Sequence, residues 1–432
     1  MKIAIHNAHI IDPANHRDET THLYITDKQI SHIGNKAPDG FAADQTIDAK
    51  QCLLIPGVID LSTYLREPGQ ESKAKIDTES HAAVSAGITQ LCCMPEPETT
   101  IDSMPTVDLI HKIAKQHNKA RVNVIGAMSK ELKGIQLTNM GGLKHAGCIA
   151  VTNQRQAFSS THTLRMAMDY AATYDLQAFL HPIDKELMGN GVMHEGAIAT
   201  RAGLPGIPVA AETVALAQII HLAEELAIPV HICRLSAANS VEQIRAAKQR
   251  GMQITADVAA HQLFLTDMDV SDFNPLCHVQ PPLRSPRDLA ALRQGVADGT
   301  IDAICSDHQP HETDAKLAPF QQTQPGISAL ETLLPLVMRL SEETAIPLSR
   351  LIASVTQQPA QIINAQQGNL SIGSPADFTI FDTNDHWQLE TQNLLSQGKN
   401  TPFAGWSFNG RSMMTFVDGQ CVFTRNKSIT AH

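Results

Sequence analysis

The sequence predicts an α/β protein in which a (β/α)8 TIM barrel is flanked by a small β-sandwich domain formed from both termini. Two observations support this prediction. Residues 57–365 alternate short apolar strands with helical patterns, whereas residues 1–56 and 366–432 show short alternating strands separated by turn residues. The 432-residue chain is 43% apolar and 18% charged, which is enough material for one large barrel and an accessory domain.

The two ends of the chain carry the predicted β-sandwich. Four strand-like stretches, KIAIHNAHIID, HLYITD, QISHIG and TIDAKQCLLIP, precede residue 56. A similar alternation of apolar and polar residues recurs in ADFTIFD (376–382) and SMMTFVDGQCVFT (412–424). Because alternation of apolar and polar residues is typical of half-buried strands, we expect the two ends to form one domain.

The central region contains eight strand candidates with helical patterns between most of them. One predicted helix places Leu216, Ile219, Ile220 and Ala223 on the same face, and another begins after Ser236. Eight such units in a row favour a barrel over a doubly wound sheet. The strand candidates are 58–63, 89–94, 122–127, 148–153, 177–182, 229–235, 253–258 and 302–307.

Composition excludes several classes of protein. A net charge of −11 gives no basic footprint, so we expect no nucleic-acid partner. Eight scattered cysteines without a C-x-x-C motif indicate neither a disulfide framework nor a zinc ribbon. The absence of a long apolar run argues against a signal peptide or membrane span, so we expect a cytoplasmic protein.

In a TIM barrel the functional residues lie at the carboxyl ends of the strands. Strand 1 ends in Ser62 and Tyr64, strand 4 in Asn153 and Gln154, and strand 5 in His181; strand 6 supplies His231 and Arg234, and strand 8 supplies Asp307 and His308. Alternate residues of a strand face the same way, so His231 is expected to face away from Arg234 and to be structural.

Several longer motifs accompany these strand ends, and with them the chain resembles a type I dihydroorotase of the amidohydrolase superfamily. The resemblance implies hydrolysis or closure of a dihydropyrimidine ring by a metal-bound hydroxide. It also implies one or two zinc ions, held by two His on strand 1, an acidic ligand on strand 4, His on strands 5 and 6, and Asp on strand 8. The motifs are PGVIDLSTYLREPGQE (56–71), MPEPETTIDS (94–103), GLPGIPVAAET (203–213), HICRLSAANS (231–240), VQPPLRSPRD (279–288), ICSDHQPH (304–311) and QGKNTPFAGWSFNG (397–410).

Most of the implied ligands are replaced here. Of the six positions only His181 and Asp307 keep a family ligand. Zinc sites normally need at least three protein donors, so we expect no metal, with zinc at an atypical site as the alternative. No catalytic residue is then expected, and Asp307 is a remnant of the family's acid/base. The degenerate positions are Ser62, Tyr64, Asn153 (or its neighbour Gln154) and Arg234.

The fixed charge of Arg234 suggests what took the place of the cation. We expect it to pair with Asp307 or with another residue of the former metal pocket, because an unpaired buried carboxylate is costly. On the substrate side, the resemblance implies a remnant binding site formed by Arg66, Glu96, Gln280 and His311. Arg66 could either order its loop or still bind an anion.

Three functions are compatible with this sequence. The resemblance favours a non-catalytic dihydroorotase-like protein of pyrimidine biosynthesis, a pseudo-dihydroorotase that supports the assembly and activity of the aspartate transcarbamoylase catalytic chain. The second is an active dihydroorotase or related cyclic-amide hydrolase with an atypical metal site. The third is a binding protein for a pyrimidine intermediate. A homo-oligomer is the default expectation for its assembly.

Overall fold

The protein is described by a computed structural model that covers residues 1–96, 98 and 100–425. Residues 426–432, the end of the predicted C-terminal segment, lie outside this description. The chain begins with five strands that precede the barrel. They are β1 (Lys2–Asp12), β2 (Arg17–Thr26), β3 (Gln29–Ile33), β4 (Gln45–Asp48) and β5 (Leu53–Pro56).

The barrel contains the eight predicted strands in parallel order, with each neighbour along the chain also a neighbour in the sheet. A parallel bridge between Thr63 and His308 joins the first and last of them, so the sheet nearly closes on itself. The strands from residue 58 to residue 305 are β6 (Val58–Thr63), β7 (Ile88–Cys93), β8 (Arg121–Ala127), β9 (Ala150–Thr152), β10 (Gln177–Leu180), the small ribbon of β11 (Met193–His194) and β12 (Gly206–Ile207), then β13 (Val230–Ile232), β14 (Ile254–Ala259) and β15 (Ala303–Cys305).

Three further strands, β16 (Phe378–Gln388), β17 (Ser407–Val417) and β18 (Gln420–Thr424), return to the N-terminal strands. Antiparallel pairing of β16 with β5 joins both ends of the chain in one mixed sheet. This confirms the prediction that the termini share a β domain beside the barrel. Asp418 and Gly419 both have positive φ in the turn between β17 and β18, as a tight hairpin requires.

Helices cover the outside of the barrel, including the two predicted from sequence. The helix predicted around Leu216–Ala223 is observed and ends where Ala227 adopts a left-handed conformation. Helix bounds are α1 (Ile76–Ser85), α2 (Met104–His117), α3 (Met140–His145), α4 (Thr161–Thr173), α5 (Lys185–Met188), α6 (Ala197–Ala202), α7 (Ala210–Leu226), α8 (Ala238–Gln249), α9 (Pro286–Asp298), α10 (Leu330–Glu343), α11 (Leu348–Val355) and α12 (Gln357–Ile362).

Three buried apolar clusters stabilise this arrangement. The largest packs the helices on the outer face of the barrel strands, a second fills the terminal sheet, and a third lies inside the barrel around Ile59, Ile125 and Phe179. Tyr64 belongs to the third cluster, so the strand ends sit directly above packed apolar residues. Among the helices described, none combines the length and apolarity that crossing a bilayer requires.

Candidate functional site

The centre of the barrel mouth is the carboxylate of Asp307, which follows β15 in a left-handed conformation with φ of 49°. Nη2 of Arg155 donates to both of its oxygens, at 2.9 and 2.7 Å. Ser62 Oγ donates to Oδ1 at 3.0 Å and Gln309 Nε2 to Oδ2 at 2.9 Å. The chain itself therefore supplies Asp307 with four hydrogen bonds, two of them from a cation.

A second guanidinium approaches the same carboxylate. Arg234 is completely buried, with Nε 3.7 Å from Asp307 Oδ1 and Nη1 3.5 Å from Asp257 Oδ2. The ion pairing predicted for Arg234 is present, although Arg155 is the closer partner of Asp307. Burial by itself would raise the pKa of Asp307, but the two guanidiniums outweigh it and the pKa is lowered. Asp307 is therefore held as a carboxylate.

Arg155 is the main residue that sequence reasoning missed. Strand β9 has only three residues, and Gln154 beyond it has a φ of 53°. The chain thus leaves the strand before Arg155, and the rule that alternate residues share a face no longer applies. The signal available in the sequence was an arginine directly after the degenerate strand 4 position.

Tyr64 links this ion pair to the loop after β9. Its hydroxyl accepts from Arg155 Nη1 at 2.6 Å and donates to Gln154 Oε1 at 2.9 Å. Burial raises the pKa of Tyr64, so the phenol stays protonated at neutral pH. Asn153 instead accepts from Ser129 Oγ at 2.6 Å, away from the centre. Of the two strand 4 candidates, Gln154 and not Asn153 lies beside Tyr64.

His181 follows β10 and is only 9% exposed. Neither Nδ1 nor Nε2 has a side-chain hydrogen-bond partner among the described residues, although the ring interacts with the backbone of Cys233. Burial, followed by the positive charges of Arg155 and Arg234, lowers the pKa of His181 well below its usual value. The ring is therefore a neutral imidazole with unused hydrogen-bonding capacity.

These residues do not fit the zinc centre that the resemblance implies. Every oxygen of Asp307 is already hydrogen-bonded, and two guanidiniums, which cannot deprotonate to bind a metal, stand beside it. Ser62 uses its hydroxyl on Asp307, and Tyr64 is a protonated phenol. His181 remains as the one free nitrogen donor of the predicted set, fewer than a zinc site needs.

Another group of possible ligands lies deeper, where His231, Cys233 and Asp257 have donor atoms within 4.8 Å of one another. His231 already contacts Thr255 Oγ1 and Asp257 Oδ2, each at 2.9 Å. Burial raises the pKa of Cys233 to about 12, so its sulfur is a thiol. With Arg234 also beside Asp257, these donors are engaged in hydrogen bonds and ion pairs.

The prediction that His231 faces away from Arg234 was wrong. Both side chains contact Asp257 Oδ2, because Arg234 lies beyond the end of β13 and has a φ of 53°. The left-handed turn returns its side chain to the barrel interior. The structural role inferred for His231 agrees with its complete burial and its two hydrogen bonds.

The predicted substrate-side residues line a cavity of about 270 Å³ at the barrel mouth. There Arg66 Nη1 lies 2.5 Å from Glu96 Oε2, and Gln70 Nε2 donates to the same oxygen at 2.8 Å. Arg66 also contacts His311 Nε2 at 3.3 Å. Burial, then the charge of Arg66, lowers the pKa of His311 to about 3, so its ring is neutral.

Glu96 thus supplies an internal carboxylate to Arg66, with both side chains only 7% exposed. An incoming anion would have to displace this partner. Gln280 lines the same cavity but donates to Met188 Sδ at 3.2 Å rather than to the Arg66 group. The structure therefore brings Arg66, Glu96 and His311 together, and Gln280 lines the same cavity without a hydrogen bond to them.

Comparisons with known proteins match this architecture. A family profile described as Dihydro-orotase-like covers residues 51–240, and one described as Amidohydrolase family covers residues 152–423. A Dihydroorotase-like protein of Pseudomonas putida is 42% identical over 97% of this chain and 98% of its own length. The chain belongs to the dihydroorotase-like amidohydrolase family. A Dihydroorotase of Syntrophotalea carbinolica is 41% identical, covering 98% of this chain and 99% of that protein.

Solved structures of similar shape show how the dihydroorotase-like chain folds. The L-hydantoinase from Arthrobacter aurescens superposes with a TM-score of 0.87 at 22% identity, covering 97% of this chain and 95% of that one. Dihydropyrimidinase from Brevibacillus agri gives 0.84 at 19% identity, covering 100% and 97%. At such identities the likeness establishes the barrel and its terminal sheet, and no more.

Proposed function

We propose that this chain is a non-catalytic dihydroorotase-like protein of pyrimidine biosynthesis that supports the assembly and activity of aspartate transcarbamoylase. The observation that carries the proposal is the Arg155–Asp307 ion pair, which fills the place where the family's chemistry needs a metal. A fixed guanidinium neutralises a carboxylate but cannot generate a hydroxide at neutral pH, as a bound metal can. On this proposal the chain works without bound zinc.

The internal pairing of Arg66 with Glu96 supports the same proposal from the substrate side. A substrate carboxylate at Arg66 would meet the negative charge of Glu96, and like charges at a buried site repel. The charges of Asp307 and of Arg66 are thus both paired with residues of the chain itself. The barrel retains its fold with the charges of Asp307 and Arg66 balanced internally, which suits a scaffold.

The partner follows from the resemblance. Some bacterial pseudo-dihydroorotases are needed by the catalytic transcarbamoylase to form its holoenzyme, and we propose the same role here. The names of the relatives do not decide between functions, because similar matches are called Dihydroorotase-like protein and Dihydroorotase. The residues at the strand ends favour a non-catalytic dihydroorotase-like protein over an active dihydroorotase.

Reconstitution with the aspartate transcarbamoylase chain of the same organism tests this proposal. The two chains are purified separately and mixed, and the product is measured by light scattering and carbamoyl-transfer assay. We expect a larger complex and a gain in transferase activity. If the chains neither associate nor change the activity, the proposed role is wrong.

A parallel measurement tests catalysis. The protein is incubated with added zinc, assayed with dihydroorotate, and analysed for bound metal. We expect no turnover, and we expect none after Ser62→His and Tyr64→His together, because Arg155 and Arg234 remain in the centre. Stoichiometric zinc with turnover in the unmodified protein would instead establish an active hydrolase with an atypical site.

A further inference from the structure

A cavity of about 280 Å³, here called the rim cavity, opens between the loops that follow β14 and β15. Its volume lies just below the usual range of drug-sized ligand sites, so it has room for a small molecule. Three segments line it, residues 275–276, 311–317 and 399–400. His311 is the one lining residue that it shares with the Arg66 cavity, and the Nε2 atom of His311 contacts Arg66.

Part of the wall of the rim cavity is apolar. Pro275 and Leu276 come from the loop after β14, and Leu317 comes from the loop after β15. Leu317 is 73% exposed. Apolar surface of this kind loses contact with water when an apolar group of a ligand covers it, and this favours binding.

The rim cavity also contains a buried lysine. Lys316 is only 6% exposed. Its Nζ donates to the carbonyl oxygen of Gln324 at 2.6 Å and lies 3.5 Å from that of His278. No carboxylate pairs with it in the described part of the chain. An ammonium has three N–H bonds, so at least one remains for a ligand.

The titratable groups packed around Lys316 are uncharged at neutral pH. Burial raises the pKa of Cys277 to about 12 and lowers the pKa of His278 to about 4. Burial, then the charge of Arg66, lowers the pKa of His311 to about 3. Because no carboxylate opposes the effect of burial, the pKa of Lys316 is lowered to about 8. Lys316 is therefore still protonated at pH 7, but nothing in its surroundings balances its charge.

The lining of the rim cavity contains no carboxylate, and its second cation is Lys399. Lys399 is exposed and donates to the carbonyl oxygens of Leu394 and Ser396 at 2.5 and 2.7 Å. Glu331, the carboxylate on which the charge of Lys399 acts, lies outside the lining.

Acidic residues of the neighbouring loops also lie outside the lining. Glu312 and Asp314 are exposed, and Asp269 accepts from the backbone of Thr266 at 2.8 Å. The rim cavity therefore has an excess of positive charge beside an apolar wall.

Hydrogen bonds of Asn400 hold the walls of the rim cavity in place. Its Oδ1 accepts from the backbone N–H of His311 at 2.8 Å. Its Nδ2 donates to the carbonyl oxygens of Gln309 and Gly326, both at 3.0 Å. These bonds join the segment at 399–400 to the loop after β15, so the cavity is formed before a ligand arrives.

We propose that the rim cavity binds a small carboxylate with an apolar body. The carboxylate accepts from the free N–H of Lys316, Lys399 adds a second positive charge, and the apolar body packs on Leu276 and Leu317. The apolar wall favours such a ligand over inorganic phosphate, whose whole surface is polar. The site goes beyond the proposed assembly role and does not depend on it, since it concerns the isolated chain.

The test is isothermal titration of the full-length protein at pH 7 and low ionic strength, with 3-methylbutanoate as the probe. We expect it to bind at a single site. The neutral amide of the same shape, 3-methylbutanamide, should bind about tenfold more weakly or less, because a charge-assisted hydrogen bond is lost. Acetate should also bind about tenfold more weakly, because it lacks the apolar body.

Lys316→Met removes the ammonium and keeps an unbranched side chain. Because this lysine is buried without a carboxylate, the melting temperature of the free protein should be unchanged or higher. The affinity for 3-methylbutanoate should fall about tenfold or more. Lys112→Met, at an exposed position of α2, is the matched control and should leave the affinity unchanged. Arg66→Gln, in the neighbouring cavity, should leave it unchanged as well.

Four results would each overturn the proposal. They are no binding of 3-methylbutanoate, equally tight binding of the amide or of acetate, wild-type affinity in Lys316→Met, and loss of binding in Arg66→Gln.

The pH dependence of the affinity tests the same site without any substitution. The ligand needs the protonated form of Lys316, whose pKa is about 8, so the affinity should fall about tenfold between pH 7 and pH 9. His278 and His311 are neutral throughout this range, and Cys277 remains a thiol. An affinity that is the same at pH 7 and pH 9 would equally contradict the site.

Discussion

Asp307 and His181 stand at two strand ends where the family holds a metal, yet their surroundings differ completely. Asp307 receives four hydrogen bonds and contacts two guanidiniums. His181 has no side-chain partner for either nitrogen among the described residues. The difference follows from charge. A carboxylate in the interior needs a counter-charge, whereas an imidazole binds a metal in its neutral form and therefore carries no charge to be balanced when the metal is absent.

Removing the guanidinium should have the largest effect. Arg155→Met leaves Asp307 with a weaker partner and removes the donor to Tyr64, so we expect the free energy of unfolding to fall by about 3–5 kcal/mol. Urea unfolding followed by circular dichroism measures this change. Arg165→Met, which breaks an exposed pair with Glu225, is the matched control and should cost about 0–1 kcal/mol. Equal losses of unfolding free energy in both variants would mean that burial does not increase the contribution of the Arg155–Asp307 pair.

The next largest effect is expected in the pH dependence of the stability that the Asp307 carboxylate contributes. Its folded pKa is lowered below that of the unfolded chain, so its charge stabilises the protein above pH about 4. This stabilisation is lost as the pH falls through the folded pKa. The advantage of the wild type over Asp307→Asn should therefore be full at neutral pH and shrink below pH about 4. An advantage that is constant across pH 7 to 3, in urea unfolding, would rule out the ion pair as its source.

A smaller effect is expected at the Arg66 cavity. Glu96→Gln removes the internal carboxylate from Arg66, so added dihydroorotate should bind about tenfold more tightly than to the wild type, as one released charge interaction of about 1.4 kcal/mol implies. Titration calorimetry measures the affinities. Glu98→Gln, which lines the cavity without an ion pair among the described residues, is the control. Unchanged affinity in Glu96→Gln would mean that this carboxylate does not block Arg66.

The smallest effect should come from His181 itself. His181→Leu replaces two nitrogens without side-chain partners by apolar atoms of similar volume, so we expect the free energy of unfolding to change by less than about 1 kcal/mol. Chemical denaturation in urea checks this. A loss of unfolding free energy as large as that of Arg155→Met would show that the imidazole stabilises the fold as strongly as the ion pair of Asp307 does.

Much of the fold could be predicted because period-two and helical patterns are local. The barrel strands were found within a few residues of their observed bounds, although β9, β13 and β15 are shorter than predicted. The loss of His and acidic ligands was equally visible, since it depends on residue type alone. The role of Asn153, however, was assigned by extending a strand that ends at Thr152.

The barrel, the shared terminal domain and the presence of Ser62, Tyr64 and Arg234 at former metal-ligand positions can all be predicted from the sequence. Which side chains occupy the former metal site depends on contacts between distant parts of the chain. Gln154, Arg234 and Asp307 all adopt left-handed conformations just after their strands. Such a turn changes the direction of the side chain, so the alternation of faces along a strand no longer predicts where it points. Arg155 meets Asp307 across 152 residues of sequence, a contact set by closure of the barrel and invisible to local pattern.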